Sequence, residues 1–188
     1  MTKLISSVAQ RADELHPMAA KVARASARQK PLCECTAKQA REIRESLGNP
    51  FAPPCCEMES IKDYWLPSSG GHQLKVRRYQ PKSLSAGLQP ALLFFHGGGH
   101  VLGTLDGYDT FAQQLAQLGN CVVLSVEYRL APEPKSVGIY RDGFDVDVWL
   151  MNSGEELGIN SRRLAIGGDS AGGNISNGHL YTTDAADE

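Results

Sequence analysis

An α/β fold with a mostly parallel sheet and crossover helices, preceded by a helical segment, is predicted by three observations. From about residue 73 onward, short apolar runs of strand length alternate with stretches of helical periodicity. Two glycine-rich stretches, "HGGGH" (96–100) and "GGDSAGG" (167–173), each follow directly on such a run. The first 48 residues differ in texture, with nine Lys/Arg against five Asp/Glu, whereas the remaining 140 carry ten against sixteen.

Taken in order, Leu4, Val8, Ala12, Leu15, Ala19 and Val22 recur every three or four residues, the stripe of an amphipathic helix. Thr36 is an N-cap candidate for a second helix through "AKQAREIRESL", which Gly48, Asn49 and Pro50 stop. "NPFAPPCC" reads as a linker, so a helical segment at 1–59 and an α/β core at 60–188 are expected. "PSSGG" is a turn cluster ahead of the alternating strand "QLKVRRY" (73–79). "ALLFF" (91–95) and "CVVLSV" (121–126) are unbroken apolar runs, as suits strands covered on both faces. "YDTFAQQLAQL" (108–118) between them is helical up to Gly119, and Tyr140–Leu157 carries Phe144, Val148, Leu150 and Met151 in helical register. A short strand, Leu164–Ile166, closes the alternation.

Composition removes several function classes. Apolar runs such as "ALLFF" are far short of the ~18–20 residues that span a bilayer, and no apolar block follows Lys3 as in a secretory signal, so a soluble, cytoplasmic protein without a membrane span is expected. No basic patch points to nucleic acid. Cys33, Cys35, Cys55 and Cys56 lack zinc-knuckle spacing, and five cysteines without a secretory signal read as reduced thiols; no metal is expected.

The chemistry lies in the glycine stretches. Gly168-Asp169-Ser170-Ala171-Gly172 matches G-x-S-x-G at a predicted strand-to-helix turn, a nucleophile elbow. The serine occupies a sharp turn that β-carbons two residues before or after would obstruct, and the helix expected to begin at Ser170 aims free N–H groups at developing negative charge. A P-loop would need Lys and then Ser/Thr after the last glycine, and G-x-G-x-x-G does not fit the spacing, so no cofactor is implied. Gly97, Gly98 and Gly99, after "ALLFF", offer unshielded N–H groups that with the N–H of Ala171 form an oxyanion hole. A wide glycine turn is the competing reading for that stretch alone.

"HGGGHVLGTLDGYD", "YRLAPE" (128–133) and "GDSAGGN", in this order and spacing, resemble the signatures of the hormone-sensitive lipase family of α/β-hydrolases, from about Leu66 to Asn174. The resemblance implies the N-terminal part of an α/β-hydrolase fold, with residues 1–59 similar in kind to the family's cap segment. It implies a carboxylesterase that forms an acyl-enzyme on Ser170, with Gly97–Gly99 and Ala171 as oxyanion hole and a small ester as partner. It makes His96 a brace of the glycine loop, because the family's base follows the nucleophile; His100 stands where the family usually has an aromatic residue. Asp169 is expected to cap or orient the elbow helix.

After Asn174 the sequence departs from that pattern. "ISNGHLYTTDAADE" is expected to break the helix at Asn177-Gly178 and reads as a truncated end lacking the family's acid and histidine. On a continuous helix His179 would lie ~13 Å along the axis from Ser170, against the ~3 Å a base requires, and Asp184 or Asp187 are weaker candidates as its acid. Strands such as "CVVLSV" or "RLAIG" are expected to become edges open to self-association. A catalytically inactive fragment or ligand-binding relative is the alternative to an esterase.

Overall fold

The computed structural model describes residues 15–48 and 52–184, the side chains of 136 and 179–184 excepted. The chain divides into two compact units, Met1–Pro50 and Phe51–Glu188. In the first, Ala19 and Val22 of the N-terminal stripe lie in α1 (Pro17–Ala27), whereas Leu15 precedes that helix; residues 1–14 lie outside the described residues. The second helix, α2 (Ala37–Leu47), forms as the sequence dictates. Thr36 Oγ1 accepts the Gln39 N–H at 3.3 Å while Gln39 Oε1 accepts the Thr36 N–H at 3.1 Å, a reciprocal capping box.

The second unit holds a five-stranded sheet in the order β1-β2-β4-β3-β5. Its strands are β1 (Met58–Pro67), β2 (Gln73–Pro81), β3 (Gln89–Phe95), β4 (Val122–Glu127) and β5 (Ile159–Gly168). β3, β4 and β5 are parallel, and β1 and β2 extend the sheet antiparallel. The expected edge position of "CVVLSV" is corrected: β4 is central, bonded to β2 and β3, and the edges are β1 and β5.

Alternation along the inner strands builds two cores. Leu93 and Phe95 of β3 and Val122, Leu124 and Val126 of β4 point to one face, against Ile139, Val146 and Leu150 of α4 (Ser136–Ser153). Phe94 and Val123 point to the other, against Ala112 and Ala116 of α3 (Asp109–Gly119). Burying both faces explains the unbroken apolar runs, and each such side chain contributes roughly 1.5–3 kcal/mol.

Three boundaries move. β1 went unread because it is an edge strand whose Ile61 and Trp65 are exposed, which hides the alternation. α4 begins at Ser136 and ends at Ser153, and β5 begins at Ile159. The expected break at Asn177-Gly178 does not occur: α5 (Ala171–Asp184) runs through it, the Ser176 hydroxyl donating to the Gly172 carbonyl at 2.9 Å. Among the described residues no helix is long and apolar enough to cross a membrane.

Candidate active site

Register brings the two glycine stretches together. β3 and β5 are parallel neighbours in which Phe95 pairs with Gly168, so both chains leave the sheet side by side at the same level. The start of α5 then packs on the end of β3 so closely that a Cβ on Gly172 would meet the Phe95 carbonyl and stand 2.8 Å from the His96 carbonyl oxygen. Only glycine permits that approach.

Between them Ser170 is exposed and takes φ 50°, a left-handed conformation that costs a non-glycine residue ~1–3 kcal/mol. The helix begins one residue later than expected, at Ala171, and the Gly172 N–H closes the turn onto the Asp169 carbonyl at 2.8 Å. Ala171 sits at the first helical position, where an N–H has no partner within the helix, and it has no acceptor among the described residues.

The HGGGH stretch bends through φ 132° at Gly98, 63° at Gly99 and 61° at His100. The Gly98 carbonyl accepts from Val101 and Leu102, at 3.1 and 2.9 Å, which closes the loop. The Gly97 N–H is already committed, to Asp169 Oδ1 at 2.7 Å. This corrects the expected donor set: Gly98, Gly99 and Ala171 have N–H groups without acceptors among the described residues, and Gly97 does not.

The Asp169 carboxylate is engaged away from the helix that it was expected to cap or orient. Its Oδ1 holds the HGGGH stretch through Gly97, and its Oδ2 accepts from the Tyr108 hydroxyl at 3.0 Å. His96 is 1% exposed, with Nδ1 2.8 Å from the Gly97 carbonyl and its ring stacked 4.5 Å from that of Tyr128. The Tyr128 hydroxyl donates to the His96 carbonyl at 2.6 Å. Burial pushes the His96 imidazole below its ordinary pKa, the Gly97 contact and the Asp169 charge opposing. Tyr108 and Tyr128 were missed as site residues, although each lies within a quoted motif segment and is an aromatic ring with a polar tip, suited to a buried hydrogen bond.

Among the described residues no histidine hydrogen-bonds the Ser170 hydroxyl. His179 lies nine positions along the same unbroken helix, Asp184 ends it, and Asp187 falls outside the described residues. No group of three or more His, Cys, Asp or Glu among the described residues is placed to hold a metal ion.

Residues 92–187, just over half of the chain, match the model of a family with the alpha/beta hydrolase fold. The chain belongs to the hormone-sensitive lipase-like α/β-hydrolases. It is 39% identical over 147 residues to an ethyl acetate hydrolase of Pseudomonas putida, covering 78% of this chain and 46% of that protein. A carboxylesterase of Mycobacterium tuberculosis is 43% identical over 117 residues, 62% of this chain and 36% of its own length. An ester hydrolase from the metagenome of Lake Arreo superposes with a TM-score of 0.81 at 28% identity, covering 88% of this chain and 53% of its own. A thermostable carboxylesterase cloned from a metagenomic library gives 0.75 at 31% identity, covering 84% and 53%. The chain spans half or less of the length of the curated relatives it matches.

Proposed function

We infer that this chain carries the nucleophile and oxyanion hole of a serine carboxylesterase acting on small carboxylic esters. One observation carries the reading: the Phe95–Gly168 register sets an exposed serine in a left-handed turn beside three N–H groups that have no acceptor among the described residues. Ser170 Oγ attacks the ester carbonyl carbon. The carbonyl oxygen, becoming an oxyanion, is taken up by Gly98, Gly99 and Ala171, each such donor typically worth ~3–4 kcal/mol in the transition state. Collapse expels the alcohol, leaves an acyl-enzyme on Ser170, and water releases the acid. The Oγ proton has no acceptor among the described residues, and loss of a base can cost ~10⁶ in turnover. Both half-reactions need that base. An activated ester whose leaving group departs without a proton needs it less in acylation than water does in deacylation, so with such an ester acylation is expected to outrun turnover.

That same missing acceptor favours a second reading, a relative that binds esters or their analogues at the oxyanion hole without turning them over. The outer edge of β5, bonded on one side only to β3, supports self-association through that edge in either reading. Hydrolysis of p-nitrophenyl acetate and butyrate, beside Ser170→Ala, separates the readings. A p-nitrophenolate burst present in the native chain and absent from the variant supports the esterase. Saturable binding with identical release by both proteins refutes it in favour of the binding relative.

A further inference from the structure

His100 occupies a conformation that its residue type resists. Its φ of 61° is left-handed backbone, where glycine is at ease and a histidine is strained, and it follows two glycines already in that region. Strain retained at a non-glycine residue directs attention to what the side chain does.

The half-buried ring reaches across to the elbow, where Nε2 lies 3.1 Å from the carbonyl oxygen of Ala171. A carbonyl only accepts, so Nε2 carries the proton and donates it. Both ends of this bridge are anchored. The His100 carbonyl accepts the Ala131 N–H at 2.7 Å, and the peptide after Ala171 is held by the 2.8 Å bond from the Gly172 N–H to the Asp169 carbonyl. The ring also lies against Tyr140 of α4, 6.0 Å between centroids.

We propose that His100 is a positioning residue of the oxyanion hole: its bond to the Ala171 carbonyl orients Ala171 so that the N–H of that residue converges with those of Gly98 and Gly99. This rests on the esterase reading. His100 acts through Ala171 and not on substrate. Its donor matters more than its bulk, so a side chain of similar reach with an N–H replaces it, whereas an aromatic ring that only packs on Tyr140 does not.

The test compares the full chain with His100→Phe, His100→Gln, His100→Gly and Ser170→Ala. Glycine is unstrained at φ 61° and removes the donor even if the phenylalanine variant folds poorly. In protein labelled with carbonyl ¹³C in alanine and ¹⁵N in glycine, only the Ala86-Gly87 and Ala171-Gly172 pairs report, and Ala86 is an internal control. The Ala171 resonance is expected to move in the Phe and Gly variants and to stay near its native position in Gln. The rate of Ser170 phosphonylation by an alkyl fluorophosphonate should fall about tenfold or more in Phe and Gly, toward the 10²–10³ of outright donor loss, and recover in Gln. An unmoved Ala171 resonance, labelling insensitive to Phe and Gly, or a Gln variant as slow as Phe overturns the proposal alone. A native chain that takes no label at Ser170, while the Ala171 resonance still follows the donor, overturns the esterase reading and this proposal with it.

Discussion

Ser68 and Ser170 lie at the same end of one sheet and are equipped in opposite ways. Ser68, in the turn between β1 and β2, has the residue types of a triad: its Oγ is 2.7 Å from His72 Nδ1, and His72 Nε2 is 3.1 Å from Oδ1 of the fully buried Asp142. Yet Ser68 is only 8% exposed, and its oxygen already accepts from the N–H groups of Gly70 and His72, at 3.2 and 3.3 Å. Asp142 is engaged by Arg129 through its backbone N–H, Nε and Nη2. The cluster latches the turn and the segment after β4 onto α4. Among the described residues Ser170 has no histidine partner, but it has an exposed hydroxyl and a strained turn, and the N–H groups of Gly98, Gly99 and Ala171 have no acceptor there. The proposed nucleophile is thus marked by backbone geometry, and serine, histidine and aspartate in contact serve elsewhere in the same unit as a structural latch.

Breaking the latch should have the largest effect. Asp142→Ala strands Arg129 and His72 and is expected to cost about 3 kcal/mol of unfolding free energy, read by denaturant titration, whereas Ser170→Ala should leave the midpoint nearly unchanged. Breaking the other region comes next. Gly172→Ala forces a methyl group into the carbonyls at the end of β3 and is expected to cost about 2–3 kcal/mol, with loss of Ser170 labelling.

Substituting glycine at both serines sharpens the contrast. Ser170→Gly relieves the φ of 50° and should raise stability by about 1 kcal/mol while abolishing labelling. Ser68→Gly should lower stability, since it removes the hydroxyl that bonds His72 and accepts two N–H groups. Equal signs at the two positions would erase the distinction between them.

The smallest effect concerns the antiparallel side of the sheet. Arg77, hydrogen-bonded to Asp63 at 2.7 and 3.1 Å, with Lys75 alongside and burial opposing, lowers the Asp63 carboxyl from its ordinary 3.8 to about 2. Because the folded value lies below the unfolded one, the pair stabilises the fold at neutral pH, and this contribution is lost as pH falls from about 4 to about 2. Asp63 is partly exposed, so solvent screens the pair. Thermal melts should show a small acid destabilisation in the native chain that is reduced in Asp63→Asn.

What the sequence made legible follows the same division. The inner strands and the capped helix α2 could be read because burial on two faces and the Thr36–Gln39 box leave local patterns. The G-x-S-x-G and HGGG stretches were legible because glycine is required where backbones approach or φ turns positive. Edge strand β1 was not, since exposed Ile61 and Trp65 interleave with inward-packed Tyr64 and Leu66 and blur the alternation. The helix through Asn177-Gly178 was misread because local propensity says nothing of packing against α4, where a Cβ on Gly178 would stand 3.0 Å from the Tyr140 ring. Likewise the commitment of the Gly97 N–H to Asp169 depends on register between strands seventy residues apart in sequence, which no local pattern encodes.

The central claim is that backbone geometry, and not the company of histidine and aspartate, selects the reactive serine. Treatment of the full chain with an alkyl fluorophosphonate, followed by peptide mass mapping, tests it most directly. The account expects the adduct on the peptide that carries Ser170, none on the peptide that carries Ser68, and no adduct in Ser170→Ala. An adduct at Ser68, or no adduct at either serine, would contradict it.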